Sequence, residues 1–415
     1  MRKGVFLPFA LLCGALVWCA RDKSPLGPGE GPAVCPQHEV PWASLANSPW
    51  PMFRHDPQFS GRSPYVGPRR GRIRWRFRPG ERGELYPAVV VGRDSTLYFG
   101  YRELLPAGEG TFLYALNPDG TLRWKCRLGG EIGYEPGPPF VTADGKILVQ
   151  SYQRQELYVI SERGGIERIL HLAFRSMINI GLDGSLYFVG TDARLYAATQ
   201  GGILQWCSEI AGGFHWTGAT ISPDGAFLYV LTRREPPGGD VGGLCALAAG
   251  GSIRWHHPLP GGHSFIAPLV SYDGKVYVGT DAPGDSSGFY CIGPDGKRSS
   301  FYSSLAAGLN EPTIDKSGRV LFEAYRGLVC QDCGGNVVWE FPLAPPGGYA
   351  GPICDSEGVF YVFTEEVIAL SADGKLMWRI PLEGSFTRIA APAIGSDGVL
   401  YLGTYGEPSL LYAIE

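Results

Sequence analysis

The chain has 415 residues, of which 44% are hydrophobic and 18% charged, a composition that excludes a disordered chain and allows one large folded domain. Its net charge of −4 and pI near 6.0 give no support for a nucleic-acid partner. Its 60 glycines and 34 prolines interrupt every segment, and no stretch keeps a helical period, so an all-helical fold is excluded.

The first residues carry the pattern of an export signal. Met1-Arg-Lys supplies positive charge, and the apolar stretch 4–18 that follows has the length of a signal peptide rather than a membrane span. Leu16-Val-Trp-Cys19 is similar to a bacterial lipobox, in which the cysteine thiol is acylated, although a Trp stands where such motifs prefer a small residue. We expect 1–19 to be a signal peptide and 20–48 a Pro/Gly-rich tether. Cys19 is the candidate lipidation site, with ordinary signal cleavage as the alternative.

Beyond this leader the chain repeats a unit of four short strands. The clearest copies of its second half, Leu113–Trp124, Leu244–Trp255 and Val367–Trp378, each contain an apolar run, a glycine turn and a final Trp. The first half is clearest in Ala267–Thr280 and Ala391–Thr404, where an Asp-Gly turn joins two apolar runs. Such turns favour hairpins because their central residues need positive φ angles. Each unit therefore reads strand A, Asp-Gly turn, strand B, loop, strand C, glycine turn, strand D.

These units have the spacing of propeller blades, roughly 40 to 50 residues. Seven of them end near residues 124, 169, 206, 255, 301, 339 and 378, with Ile169 and Phe301 closing two of the fainter copies. The eighth takes strand D from 73–77 and strands A to C from 389–415. This split predicts an all-β, eight-bladed β-propeller over residues 49–415, with four-stranded antiparallel blades and a ring closed by pairing its first and last strands. We expect the docking tryptophans to fill the gaps between blades: Trp75, Trp124, Trp206, Trp255, Trp339 and Trp378.

An arginine-rich run overlaps the first predicted strand. Arg72, Arg74, Arg76 and Arg78 alternate with apolar residues, which places them on one face of an outermost strand. This pattern favours a solvated edge strand guarded by charge. The alternative is a contact patch for an acidic partner or an anionic lipid surface.

Cysteine and histidine offer two weaker candidates. Cys330-Gln-Asp-Cys333 has the spacing of a thioredoxin motif but falls across a predicted C–D turn, where buried thiols or one turn-spanning disulfide are the better interpretation. Four histidines are assigned to two successive D–A connections, which adjacent blades would bring together as a weak candidate metal site. They are His215, His256, His257 and His263.

The longest predicted loops lie on one face of the ring. Because neighbouring strands alternate in direction, all B–C and D–A connections emerge on the same side. Function in such scaffolds tends to reside on the loops that a rigid sheet carries. The predicted partner-binding residues in the B–C loops are Tyr101, Arg102, Glu103, Arg233, Arg234, Glu235, Asp240, Asp281 and Asp285.

The repeated Leu-Tyr-Ala-Leu run, glycine turn and Trp resemble the tryptophan-docking repeats of the pyrroloquinoline-quinone (PQQ)-like propeller superfamily. The segment Trp50–Arg62 resembles the one that opens such domains, so the resemblance covers residues 49–415. Within the superfamily, an exported single ring is similar to the outer-membrane assembly lipoproteins. That resemblance implies a non-enzymatic scaffold without a cofactor that binds a protein partner in the bacterial cell envelope. Its location would be the periplasm or the outer membrane, with a lipid anchor as the only membrane contact if Cys19 is acylated.

Two other functions stay open. A quinoprotein dehydrogenase of the same superfamily would bind PQQ and Ca²⁺ above the ring centre, but this chain has no adjacent Cys-Cys pair and no transferable Glu/Asn/Asp set. Carbohydrate or surface-polymer binding would use loop aromatics such as Phe214 and Trp216. The sequence thus favours a binding protein over an enzyme, and we assign no catalytic residue.

Overall fold

The computed structural model describes residues 31–105, 108–129, 136–210, 218–232, 241–260, 267–280, 287–304, 310–325, 327–343, 350–383, 391–404 and 408–415. All regular secondary structure in these residues is β-strand. Within them, no helix has the length and apolar character that crossing a bilayer requires.

The strands form eight separate four-stranded sheets, each antiparallel throughout, so the predicted eight-bladed propeller is confirmed. The first strand of the chain, β1, spans Ile73–Phe77. Blades 1 to 4 then follow in chain order: β2 Gly83–Val91, β3 Leu97–Leu105, β4 Gly108–Leu116 and β5 Leu122–Arg127; β6 Phe140–Val141, β7 Ile147–Ser151, β8 Glu156–Ile160 and β9 Ile166–His171; β10 Asn179–Ile180, β11 Leu186–Val189, β12 Arg194–Ala198 and β13 Leu204–Glu209; β14 Thr220–Ile221, β15 Phe227–Thr232, β16 Val241–Ala248 and β17 Ile253–Pro260.

Blades 5 to 8 repeat the same order. They consist of β18 Leu269–Val270, β19 Val276–Thr280, β20 Gly288–Ile292 and β21 Arg298–Ser303; β22 Thr313–Ile314, β23 Val320–Ala324, β24 Gly327–Gln331 and β25 Val337–Pro342; β26 Ile353–Cys354, β27 Phe360–Phe363, β28 Glu366–Leu370 and β29 Leu376–Pro381; β30 Ala393–Ile394, β31 Leu400–Gly403 and β32 Leu411–Ile414. In most blades strand A has only two residues, because it is the innermost strand and lines the narrow centre of the ring.

The ring closes as the split repeat predicts. Strand β1 pairs antiparallel with β32 as the outer strand of blade 8, with Trp75 opposite Ala413 and Phe77 opposite Leu411. The main chains of Arg72 and Glu415 exchange two further hydrogen bonds of 2.9 and 2.8 Å. The two ends of the ordered ring are therefore joined within one sheet.

The six predicted docking tryptophans lie on strand D. Five reach the C–D turn of the next blade, and Trp378 reaches the segment before β1, which takes the place of that turn in blade 8. Trp75 illustrates the geometry: its indole N–H donates to Pro118 O at 3.0 Å, and its ring covers Gly120. A Cβ on Gly120, whose φ is +87°, would lie 2.8 Å from that ring. The indole N–H groups of four others donate in the same way, from Trp124 to Glu162 O, Trp255 to Pro294 O, Trp339 to Ala372 O and Trp378 to Pro68 O.

Two blades depart from the predicted repeat ends. In blade 1 the docking Trp124 pairs with Ala115, the second-to-last residue of strand C. The strand D residue that pairs with the same position of strand C is Arg168 in blade 2 and Ser300 in blade 5. The assignment of Ile169 and Phe301 was therefore wrong by one residue. A bulge after each C–D turn adds an unpaired residue to strand D, so distance from the turn glycine, rather than hydrophobic character, identifies the docking position.

The arginines of β1 alternate outward as predicted and meet acidic residues from blades 7 and 8. Arg74 lies 3.4 Å from Asp397, and Arg76 lies 3.0 Å from Glu383. The guanidinium of Arg72 pairs with Glu415 in the same way. These exposed pairs balance the positive charge of the strand and contribute little stability individually.

Candidate functional site

The antiparallel order of strands A to D gives the ring two different faces. The A–B and C–D turns meet on one face, which we call the turn face. The B–C and D–A connections meet on the other, which we call the loop face. The residues predicted to bind a partner belong to the loop face.

The N-terminal segment covers the turn face. The N–H of Ala33 donates to Asp332 Oδ2 at 2.8 Å in the C–D turn of blade 6. Farther along, the N–H of Ala46 donates to Val141 O at 2.9 Å in blade 2. Because blades 6 and 2 lie on opposite sides of the ring, residues 33–48, which were predicted to form part of the tether, cross this face.

Residues 50–63, which we call the plug, then run around the inner wall of the ring and are buried throughout. Six innermost strands donate a main-chain hydrogen bond of 2.8 to 3.2 Å to a plug carbonyl, and blade 3 adds the side-chain N–H of Asn179, 3.0 Å from Pro57 O. The main-chain pairs are Val91 to Trp50, Val141 to Pro51, Ile221 to Pro57, Val270 to Gln58, Ile314 to Ser60 and Cys354 to Gly61. These donors lie near the turn-face ends of their strands, so the plug closes the channel on that side.

The carboxylate of Asp56 holds the plug in its tight curve. It accepts hydrogen bonds from the main-chain N–H groups of Gln58 and Ser60, each at 3.1 Å, and from His55 Nδ1 at 3.2 Å. Burial acts to raise the pKa of Asp56, but the hydrogen bonds from His55 and Ser60 outweigh it and hold that pKa below its usual value. The curve also needs positive φ angles, which Arg54, His55 and Phe59 adopt at 59°, 76° and 55°.

Arg54 fixes the plug between blades 6 and 7. Its side chain is only 1% exposed, and its guanidinium donates to Pro352 O at 2.7 Å and to Pro312 O. Burial lowers the pKa of Arg54, opposed by the charge of Glu311. A Cβ on Gly61 would collide with this guanidinium, so the plug requires glycine there.

A small apolar cavity, with free space for about one water molecule, lies at the loop-face side of the plug. Met52, Phe53 and Phe59 of the plug contribute to its lining. Blades 2 and 3 contribute the rest of the lining from the loop-face ends of their inner strands: Pro138, Pro139, Phe140, Gln150, Met177 and Ile178. The amide of Gln150 is already engaged, donating to Ser176 O at 3.0 Å and accepting from Ile178 N at 2.8 Å. The lining therefore offers apolar surface and no unengaged amide to a molecule that contacts it.

These residues do not fit PQQ with Ca²⁺. PQQ carries several carboxylates, whereas the side chains that line the cavity are apolar except for the engaged Gln150. Among the described residues, no three histidine, cysteine or acidic side chains come together to hold a metal ion. We derive no quinone chemistry from this site.

Three of the predicted partner-binding residues lie in a strand instead of a loop. Tyr101, Arg102 and Glu103 belong to β3, because blade 1 has nine-residue strands whose hairpin extends beyond the usual blade length. Tyr101 is 1% exposed, which makes it a core residue of that blade. Arg102 lies 3.3 Å from Glu84, and Glu103 lies 3.6 Å from Lys125. The other six, Arg233, Arg234, Glu235, Asp240, Asp281 and Asp285, lie outside the described residues.

The predicted histidine cluster is only partly described. His256 and His257 lie within β17 instead of the connection after it, so adjacent positions point them to opposite faces of the sheet. His257 Nδ1 lies 2.9 Å from Gly296 O in the next blade, whereas His256 Nε2 lies 3.4 Å from Thr232 Oγ1 in its own blade. His215, His263 and the aromatic candidates Phe214 and Trp216 lie outside the described residues.

The cysteine pair is not bridged across its turn. Cys333 forms a disulfide with Cys35, 298 residues away, while Cys330 is free and fully buried. Burial raises the pKa of the Cys330 thiol far above its usual range, which fits the interpretation of Cys330 as a small hydrophobic residue.

The fold defines a closed eight-bladed β-propeller whose channel is plugged on one face. No family model matches the sequence, and no curated protein matches it. Among solved structures, the chain is similar to BamB from Moraxella catarrhalis, at 13% identity and a TM-score of 0.55 over 76% of this chain and 95% of that one. It is also similar to the C-terminal WD40 domain of Sif2, at 11% identity and a TM-score of 0.59 over 85% of this chain and 99% of that one. Virginiamycin B lyase from Staphylococcus aureus matches at 12% identity, a TM-score of 0.47 and 81% and 97% coverage, too distant for inference.

The first two likenesses show a shared β-propeller fold. The sequence analysis did not predict the plug or the cavity that the plug lines on one side. The one available signal was Trp50–Arg62, a segment without strand periodicity that nevertheless concentrates Trp, Met and Phe.

Proposed function

We propose that this chain is an exported, membrane-anchored, non-enzymatic scaffold that binds a protein partner in the cell envelope through its loop face. The plugged turn face supports this choice of surface, because the N-terminal segment already occupies that side. The observation that carries the proposal is this occupied turn face, which leaves the loop face for a partner. On the loop face, the apolar lining of the small cavity beside Met177 suits contact with an apolar side chain of that partner.

Export is supported by two independent features. The leader has the charge and apolar length of a signal peptide. The disulfide between Cys35 and Cys333 is of a kind that persists in oxidising compartments and is rare in the bacterial cytosol. Acylation of Cys19 would then attach the chain to a membrane, and mass spectrometry of the mature N-terminus distinguishes this from ordinary signal cleavage.

Site-specific photocrosslinking in producing cells tests the binding surface. A benzophenone side chain replaces Met177, at the cavity, or Met377, an exposed residue of β29 near its C–D turn as a matched control. We expect a discrete crosslinked product of defined mass from position 177 and none from position 377. Equal products from both positions, or a product from 377 alone, would argue against the loop face.

A second substitution tests the chemistry of the pocket. Met177→Lys places a charge beside an apolar cavity and should reduce crosslinking from a neighbouring loop-face position, the exposed Gln153 in the B–C turn of blade 2, at least tenfold, the effect of about 1.4 kcal/mol. Met377→Lys should leave that crosslinking unchanged. An enzymatic role would instead show as saturable binding of PQQ and Ca²⁺ with reduction of a dye acceptor.

A further inference from the structure

Two of the eight seams between blades lack a docking tryptophan, and they differ in what fills the position. At the seam between blades 2 and 3, Arg168 replaces Trp, and the side chain of Leu170 packs against the turn glycine Gly202. A Cβ added to Gly202 would lie 3.4 Å from the Leu170 side chain. At the seam between blades 5 and 6 the position holds Ser300, which faces Gly335. A serine covers far less of the neighbouring blade than an indole ring does.

The N-terminal segment bridges this same seam on the turn face. Gln37 accepts a hydrogen bond from Tyr272 N of blade 5 at 2.6 Å through its side chain, and its own N–H donates to Lys316 O of blade 6 at 2.8 Å. The N–H of Cys35 donates to Ser317 O at 2.9 Å, also in blade 6. The disulfide then fixes Cys35 to Cys333, two residues before Gly335 in the turn that a tryptophan would cover.

The inner part of the seam has its own packing. The rings of Phe289 in blade 5 and Phe322 in blade 6 stack with their centres 3.8 Å apart. The N-terminal bridge therefore secures only the outer, turn-face end, so losing it should loosen that end without opening the core of the ring.

The disulfide is placed for exchange with a dithiol. Cys35 and Cys333 are both partly exposed, unlike the buried Cys330 nearby. The ammonium group of Lys275 lies 3.9 Å from Cys35 Sγ and 3.3 Å from Cys333 O, and it also pairs with Asp273 at 3.0 Å. A cation beside a sulfur stabilises its thiolate, which makes Cys35 the better leaving group.

We propose that the Cys35–Cys333 disulfide is a redox-sensitive staple that replaces the missing tryptophan between blades 5 and 6. A thiolate of a dithiol reductant attacks Cys333 Sγ, the disulfide bond breaks, and Cys35 leaves as a thiolate beside Lys275. The second thiol of the reductant then displaces Cys333. Two electrons pass to the protein, the reductant becomes a cyclic disulfide, and the protons that it releases end on the two cysteines.

Hydrogen exchange before and after reduction tests the staple. The full chain carrying Cys207→Ser, which removes an exposed free thiol, is treated with dithiothreitol under native conditions, and the new thiols are alkylated and located by peptide mass spectrometry. We expect the amides of Cys35, Gln37 and Tyr272 to exchange at least tenfold faster after reduction. The exchange rates of the amides in the C–D turn of blade 7, which Trp339 covers, should not change. Unchanged protection at residues 35, 37 and 272 after complete alkylation of both cysteines would overturn the proposal.

Two sets of variants separate the parts of this mechanism. Lys275→Met should slow reduction about threefold through the poorer leaving group, whereas Lys297→Met, at an 85% exposed lysine in the blade 5 turn, should not. Equal rates in both would refute the role of Lys275. Ser300→Trp should keep the seam protected in the reduced chain. Should that variant not fold, Cys35→Ser with Cys333→Ser must show the fast exchange without any reductant, and slow exchange there would refute the staple.

Discussion

A glycine with a positive φ angle lies under the indole ring at each of the six seams that a tryptophan closes. In the turn of blade 4 that glycine is Gly251, where φ is +89° and an added Cβ would lie 2.7 Å from the ring of Trp206. The tryptophans were predictable because they repeat in sequence with the turn. The residue at the two other seams was not, because Arg168 and Ser300 occupy the docking position there, while the apolar Ile169 and Phe301 that follow them imitate the end of the repeat.

The adjacent glycines of that turn give a matched pair for measuring this requirement. Gly251→Ala should lower the free energy of unfolding by about 2–4 kcal/mol, combining left-handed backbone strain with a clash against Trp206. Gly250→Ala should change it by no more than about 0.5 kcal/mol, since nothing lies within 4 Å of its added Cβ. Chemical denaturation measures both, and equal losses would contradict this account of the seam.

At the scale of elements, the segment between the plug and β1 is fastened to blade 7 by a buried carboxylate. Asp355 is fully buried and accepts hydrogen bonds from Gly67 N at 2.9 Å and from Arg69 Nη1 at 2.6 Å. Burial acts to lower the pKa of Arg69, but its hydrogen bonds to Glu357 and Asp355 raise it overall. Sequence alternation predicted the outward arginines of β1 but could not distinguish this structural arginine from the exposed ones, since their partners lie about 290 to 340 residues away.

Removing one arginine at a time separates these two roles. Arg69→Ala leaves Asp355 buried without its cation and should cost about 3 kcal/mol of unfolding free energy. Arg72→Ala breaks an exposed pair with Glu415 and should cost no more than about 0.5 kcal/mol. Urea denaturation compares the two, and a cost for Arg72→Ala as large as that for Arg69→Ala would show that closure of blade 8 depends on its surface charges.

At the scale of the whole molecule, strands A to D and the closure of the ring followed from local patterns, namely Asp-Gly turns, apolar runs and the split repeat. The plug did not, because no local pattern specifies a segment whose hydrogen-bond partners come one or two at a time from seven different blades. The long hairpin of blade 1 was not predicted for a related reason. Its polar residues have the composition of a loop, yet they continue the pairing of β3 with β4. The cavity of the candidate site could not be predicted either, since it forms only where the plug meets blades 2 and 3.

The plug should therefore couple the stability of distant blades. Arg54→Met removes the hydrogen bonds to Pro312 O and Pro352 O and the charge interaction with Glu311, which should cost about 3 kcal/mol. Because the same chain segment continues to blades 1, 2, 4 and 5, hydrogen exchange should quicken at Val91, Val141, Ile221 and Val270 as well as at Ile314 and Cys354. Arg70→Met, at an exposed arginine outside the plug, serves as the control and should leave all six amides protected. Faster exchange confined to Ile314 and Cys354 would mean that each blade holds its part of the plug independently, and the channel would then be closed by separate local contacts instead of one shared segment.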